Sequence, residues 1–229
     1  MTTRTTLEIL EGGIASITLD DGKVNAMSTE MLAEIGAQLD KASEAAEVAV
    51  LSGREGIFSA GFDLAVLGGG QKEKQEMVAA GFRLVEKFLT HPQPIIVACT
   101  GHAYPMGAFL MLSSDIRIGA HGNWRMGLNE VAIKLTVPHF ALELARHRLT
   151  PPAFAQITTA TMFGPEAACR AGYLDDVVEP EKLQPCVFER AANLVKMLDK
   201  ESYIGTKARL NAKVLSAIRE GAQKDGLIN

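Results

Sequence analysis

Short apolar runs alternate along this chain with segments of helical periodicity, and this alternation constrains the fold more than any other feature. Val48–Ser52 and Ile95–Cys99 have the length and composition of buried strands. A loop of small residues follows each run, and a helical pattern follows each loop. Residues 115–120 have the pattern of another strand. The order predicts a layered α/β domain, although no strict sequence period marks a repeat.

The segments before and between these runs have patterns of their own. Residues 7–10 and Ile14–Leu19 alternate apolar with polar positions around a glycine turn, which predicts a hairpin of half-buried strands. Ser28 is placed to cap a helix whose apolar residues recur at helical spacing. Residues 71–89 predict a second helix with one apolar side. After residue 140 the pattern is mainly helical.

Charge and composition narrow the classes of partner. A net charge of -4 and a pI near 5.8 provide no basic surface for nucleic acid. The apolar runs are far shorter than the roughly 20 residues that span a bilayer, and the N-terminus lacks the features of an export signal. Cys99, Cys169 and Cys186 are an odd number without metal-ligand spacing, and the five histidines show none either. We therefore expect a soluble cytoplasmic protein without a metal, a nucleic-acid partner or a membrane partner.

Two loops of small residues are candidate sites of catalysis. Residues 58–64 (FSAGFDL) and 101–108 (GHAYPMGA) each follow a predicted buried strand and precede a helical pattern. Such loops expose backbone NH groups, and the dipole of the following helix adds positive potential. Two of them could converge on one developing oxyanion. Glycine turns before helices are common, however, so the two loops alone are a weak indication.

Glu130 is the candidate catalytic carboxylate. It ends the segment 126–130 (MGLNE) and stands beside the apolar residues 131–133. Burial in such surroundings would raise its pKa toward the range that is useful for a general base. The alternative is an exposed loop glutamate, which this segment alone does not exclude.

These segments, in this order, resemble the crotonase superfamily, which includes enoyl-CoA hydratases and isomerases. Residues 168–178 (ACRAGYLDDVV) are similar to a further signature of that family. The resemblance implies a ClpP-like spiral of ββα units over residues 1–190. It also implies a helical C-terminal region over residues 191–229 that builds homotrimers or dimers of trimers. The substrate would be an acyl-CoA thioester, with no cofactor besides the coenzyme A that the substrate carries.

The same resemblance assigns roles to individual residues. Phe62 and Met106 would provide the two backbone NH groups of the oxyanion hole, and Glu130 would be the catalytic base. The residues expected to contact substrate are Ala60, Asp63, Leu64 and Phe109.

One departure from the family pattern bears on the reaction. Phe109 occupies the position where typical hydratases carry a first catalytic glutamate. An apolar ring cannot hold the water that hydration adds, whereas moving a double bond from the 3,4 to the 2,3 position of an enoyl-CoA needs one base. The pattern around Glu130 resembles that of Δ3,Δ2-enoyl-CoA isomerases, so we expect an isomerase. The alternatives are a hydratase or other crotonase reaction that uses one glutamate, and a non-catalytic acyl-CoA-binding protein.

Overall fold

The computed structural model of the protein describes residues 3–229, which form a central sheet covered by helices. The described strands are β1 (Thr5–Leu10), β2 (Ile14–Leu19), β3 (Ala26–Met27), β4 (Val48–Ser52), β5 (Gly56–Ser59), β6 (Gly61–Phe62), β7 (Ile95–Cys99), β8 (Gly101–Ala103), β9 (Ile116–Ala120) and β10 (Asp176–Val178). Six of them form the main sheet in the order β1-β2-β4-β7-β9-β10. The β1–β2 hairpin is antiparallel, and the other pairs are parallel.

Helices follow the strands in the order that the sequence predicts. The described α-helices are α1 (Thr29–Ala45), α2 (Leu64–Leu67), α3 (Gln71–Thr90), α4 (Pro105–Ser113), α5 (His139–Arg148), α6 (Pro151–Ala155), α7 (Pro165–Ala171), α8 (Pro180–Met197) and α9 (Lys200–Lys224). Short 3₁₀ turns cover Glu130–Ile133 and Gln156–Thr159. Ser28 caps α1 as predicted, because its hydroxyl accepts a bond from the amide of Met31 at 3.3 Å.

Both faces of the parallel sheet are buried, which explains why its strands are continuously apolar. Leu51 and Val97 point into the larger core, which the sheet shares with α1, α3, α4, α5 and α9. Val50 and Ile96, one residue away in their strands, point to the other face and pack with Val187 of α8. Side chains of a strand alternate between faces, so each strand contributes to both layers.

Two small sheets outside the main one bring the predicted site loops together. β5 pairs with β8, so the strand before the loop 58–64 lies beside the strand at the start of the loop 101–108. β6 pairs with β3. Met126 forms bridges with both Ala103 and Phe163, which attaches the segment that leads to Glu130 to the second loop. The fold therefore gathers three segments that are distant in the sequence.

The C-terminal helix packs against the core of its own chain. Val214, Ile218 and Ala222 of α9 are buried in the larger core, and Gly221 lies so close to α5 that a Cβ there would be 2.7 Å from the amide nitrogen of Phe140. The predicted boundary at residue 190 falls within α8. A trimerisation role for residues 191–229 stays a prediction. Among the described residues, the helices include none that could cross a bilayer.

Candidate active site

Asn25 fixes the loop that follows β5. Its side-chain amide is buried and donates to the carbonyl of Leu19 at 3.0 Å and to that of Phe58 at 3.2 Å. The hydroxyl of Ser59 donates to the carbonyl of Asn25 at 2.8 Å and accepts from the amide of Gly61 at 3.0 Å. Buried polar groups that are fully paired in this way hold a backbone rigidly. The loop that carries Phe62 is therefore preformed.

The backbone NH of Phe62 points away from its partner strand. The amide of Asp63 donates to the carbonyl of Met27 in β3 at 3.4 Å, and Met27 is the register partner of Phe62. In a parallel ladder the amides of alternate residues face the partner strand, so the amide of Phe62 faces the other side. It is free to donate to a ligand there.

Met106 provides a second unpaired donor at the start of α4. The first helical bond of α4 runs from the amide of Ala108 to the carbonyl of Tyr104 at 3.0 Å, and no side chain caps the helix. Pro105 has no NH, so the amide of Met106 is among the first donors that the helix leaves unused. The helix dipole adds positive potential at this end.

The two loops touch each other at Gly61. Its φ of +87° belongs to the left-handed region, and a Cβ there would lie 3.3 Å from the nitrogen of Pro105. Glycine suits both constraints, because it has no Cβ to strain the backbone or to separate the loops. The residues that follow this contact, Phe62 and Met106, carry the two free amides. Their role as a pair of oxyanion donors stays a prediction.

A cavity of about 600 Å³ opens beside the two loops. Most of its wall is apolar, which suits an acyl chain. Its lining residues are Ala60, Phe62, Leu64, Leu67, Lys74, Val78, Tyr104, Pro105, Asn129, Glu130, Ile133, Lys134, Leu135, Thr136 and Pro138.

Glu130 is the one carboxylate among the residues that line this cavity. Only 6% of its surface is exposed, and its Oε2 has no hydrogen-bond partner within the described part of the chain. Burial raises the pKa of the Glu130 carboxyl to about 7, from an ordinary value of 4.5. The pKa is therefore moved into the range in which a carboxyl group can both accept and return a proton near neutral pH.

Tyr173 lies near this carboxylate and was not predicted from the sequence as part of the site. Tyr173 follows α7 in the chain, and its side chain is fully buried. Burial raises the pKa of the Tyr173 phenol, and the negative charge of Glu130 raises it further. The phenol therefore stays protonated beside Glu130. The signature at residues 168–178 contains this tyrosine, but only the folded chain shows which residue it approaches.

The predicted substrate-contact residues divide into two groups. Ala60 and Leu64 line the cavity. Asp63 stands beside it and caps α2, because its carboxylate accepts from the amide of Ala65 at 2.9 Å. Phe109 is buried behind the wall, with its ring centroid 6.4 Å from that of Phe62. Contact of substrate with any of these four residues stays a prediction.

The sequence profile of the enoyl-CoA hydratase/isomerase family matches residues 10–225. The chain belongs to this family. A structure from Pseudomonas syringae, of an enoyl-CoA hydratase/isomerase family protein, is 39% identical with a TM-score of 0.93 and covers 97% of this chain and 96% of that one. An apo structure from Mycobacterium tuberculosis, described as an enoyl-CoA isomerase, is 37% identical with a TM-score of 0.92, covering 99% and 98%. A second structure of the same protein describes it as a probable enoyl-CoA hydratase. A carnitinyl-CoA dehydratase of Escherichia coli O157:H7 is 29% identical over 93% of this chain and 85% of its own.

The family membership confirms the predicted fold and the general function. The α/β architecture is that of the crotonase superfamily, and the chain is an acyl-CoA enzyme of that superfamily. The members that it resembles include both isomerases and dehydratases, so family membership does not choose between these reactions.

Proposed function

We propose that this enzyme moves a 3,4 double bond of an enoyl-CoA to the 2,3 position. The observation that carries the proposal is the single buried carboxylate of Glu130 in an apolar cavity, beside loops that present two unpaired amides. One base and an oxyanion hole are the groups that this reaction requires.

One carboxylate can carry out both proton transfers of this reaction. Ionised Glu130 removes a proton from the carbon next to the thioester carbonyl, and the electron pair moves onto the carbonyl oxygen as an enolate. The amides of Phe62 and Met106 donate to that oxygen. The enolate collapses with a shift of the double bond, and neutral Glu130 returns the proton to the fourth carbon. Substrate and product have the same mass, and Glu130 ends in its starting state.

Phe109 supports isomerisation over hydration. Its ring is fully buried between Phe62 and Phe140, with centroids 6.4 Å and 5.8 Å away. A hydratase of the usual type needs a second carboxylate at this position to orient water, and here the position holds an aromatic ring instead. Neutral Glu130 is thus left as the proton donor to the substrate.

A hydratase or dehydratase reaction with Glu130 alone is the second candidate. The observation in its favour is that curated relatives which match most of the chain are carnitinyl-CoA dehydratases. The same carboxylate and the same two amides would serve it. The two reactions differ in the mass of the product, because one conserves it and the other adds or removes water.

The proposal is tested by mixing the protein with cis-3-hexenoyl-CoA and following the conjugated 2-enoyl thioester by absorbance and mass. We expect a product of unchanged mass, and a loss of about 10²- to 10⁴-fold in kcat with Glu130→Gln. Glu181→Gln, an exposed glutamate of α8, is the matched control and should keep full activity. A product heavier by one water would establish the second candidate instead, and full activity of Glu130→Gln would remove Glu130 as the base.

The pH dependence of the same assay checks the protonation state. Glu130 must be ionised to accept the proton, and its pKa is raised to about 7 by burial. We therefore expect kcat/KM to rise from pH 5 to pH 8 with its midpoint near that value. A profile that is already flat above pH 5 would show that the base has an ordinary carboxyl pKa.

A further inference from the structure

Two lysines line the cavity, and the proposed reaction uses neither. Lys74 belongs to α3 and is half-buried, and Lys134 follows the 3₁₀ turn that begins at Glu130 and is exposed. Neither ammonium forms an ion pair with a described residue, whereas Lys72, next to Lys74 on α3, pairs with Glu76. Glu130 does not neutralise them, because its Oε2 has no hydrogen-bond partner among the described residues. The cavity therefore has two positive groups without a partner.

Lys134 also has a backbone conformation that disfavours a lysine. Its φ of 63° and ψ of 31° lie in the left-handed region, which is unfavourable for a residue with a Cβ and is usually occupied by glycine. Backbone strain of this kind is found preferentially at functional sites. A glycine would close the same turn without strain, so the lysine side chain itself needs a reason to be there.

We propose that Lys134, assisted by Lys74, binds a carboxylate carried by the acyl chain of the substrate. This inference rests on the proposed function of the cavity and names its substrate class: enoyl-CoA thioesters whose acyl chain has a second, free carboxylate. An ammonium group that has no partner at an apolar wall can form a strong, charge-assisted hydrogen bond with a carboxylate of the ligand, and this bond adds to the affinity.

The position of Lys134 favours the acyl chain over the phosphates of coenzyme A as the source of the negative charge. The amide of Leu135 donates to the carbonyl of Glu130 at 2.9 Å, so Lys134 lies one short turn from the catalytic carboxylate. Glu130 must reach the second and fourth carbons of the acyl chain. The phosphates are separated from those carbons by the thioester and the whole pantetheine arm. A group that Lys134 can reach is therefore near the reacting carbons.

The test compares ligands that differ only in the terminal carboxylate. Binding of the saturated thioesters adipoyl-CoA and hexanoyl-CoA is measured by calorimetry, with wild type, Lys134→Gln, Lys134→Arg and the exposed control Lys72→Gln. We expect wild type and Lys72→Gln to bind adipoyl-CoA about tenfold more tightly, as one charge-assisted hydrogen bond gives. Lys134→Gln should abolish that preference without weakening hexanoyl-CoA, and Lys134→Arg should retain it. Equal binding of the two ligands by wild type would overturn the proposal.

Two further arms separate the ways in which the proposal could fail. If Lys134→Gln weakens both coenzyme A thioesters equally but leaves the corresponding pantetheine thioesters unchanged, Lys134 binds a phosphate and the proposal is wrong. Saturated ligands cannot isomerise, so the binding result stands even if the proposed reaction fails. If the reaction holds, 3-hexenedioyl-CoA should have a KM about tenfold lower than 3-hexenoyl-CoA, and Lys134→Gln should remove that difference with kcat unchanged.

Discussion

The parallel sheet has a buried charged residue at the edge where its strands begin and another at the edge where they end. The first is paired with an opposite charge, and the second is not. At the edge where the strands begin, Lys207 of α9 is only 6% exposed, and its ammonium donates to Asp115 at 2.8 Å and to the hydroxyl of Tyr203 at 2.9 Å. The same carboxylate accepts from the amide of Ile95 at 2.8 Å. Each charge there has partners that replace water, as a buried ion pair requires.

At the edge where the strands end, Glu130 is equally buried, but among the described residues only its own backbone amide stabilises the charged form of its carboxylate. Its Oε2 is unpaired, and its pKa is raised to about 7 because neutral carboxylic acid is the form that burial tolerates. The two edges thus show a charge that stabilises the fold and a charge that is suited to catalysis, both in one chain. A paired group holds α9 against the sheet, whereas a group that must gain and lose a proton is kept without a partner at a cost in stability.

The largest effect should come from breaking the pair at the first edge. Lys207→Met leaves Asp115 partly buried without its cation, and we expect a loss of roughly 3–5 kcal/mol in the free energy of unfolding. The measurement is chemical denaturation of the variant and of Asp115→Asn/Lys207→Met, which removes both charges and should recover part of the loss. If the single variant loses less than about 1 kcal/mol, the pair does not hold α9 and the contrast fails.

Neutralising the second edge should have the opposite sign. The folded pKa of Glu130, about 7, lies above its ordinary value of 4.5, so the folded state binds more protons between these values and wild-type stability falls as pH rises through them. Glu130→Gln removes this dependence. We expect the variant to match wild type at pH 4 and to exceed it by up to about 3 kcal/mol at pH 8. Denaturation at both pH values checks this, and a variant that is less stable at pH 8 would mean that the folded protein stabilises ionised Glu130 by more than burial costs it.

Much of the fold could be predicted from local sequence patterns. The hairpin, the cap at Ser28 and the strands Val48–Ser52 and Ile95–Cys99 are confirmed, because each rests on periodicity or on a capping residue. The short strands β3, β5, β6 and β8 were not predicted. Two to four residues are too few to show a period, and their pairing depends on distant segments. These strands are the elements that position the site loops.

The candidate site shows the same division. The loops of Phe62 and Met106 and the candidate carboxylate of Glu130 could be predicted, since each is a property of one segment or of a family pattern. The burial of Glu130 is shown only by the folded chain, because its own segment is compatible with an exposed glutamate. Lys74 and Val78 reach the cavity from the first two turns of α3, where only the packing of that helix decides which residues face inward. Tyr173, in the turn after α7, is close enough to Glu130 for that negative charge to raise its pKa. Such contacts between distant segments have no local signal in the sequence.

The smallest expected change in stability comes from the strained turn beside Glu130. It tests whether the unfavourable backbone of Lys134 is kept for ligand binding. Lys134→Gly should relieve the left-handed strain, partly offset by the greater freedom of glycine in the unfolded chain, for a net gain of about 0.5 kcal/mol. Ala160→Gly is the matched control, because Ala160 has a φ of 51° and does not line the cavity. Thermal denaturation should show similar small gains for both variants, while only Lys134→Gly should lose the preference for a carboxylate-bearing thioester. If Lys134→Gly instead destabilises the fold, then its side chain stabilises the free enzyme, and strain at this position would not be evidence of a ligand.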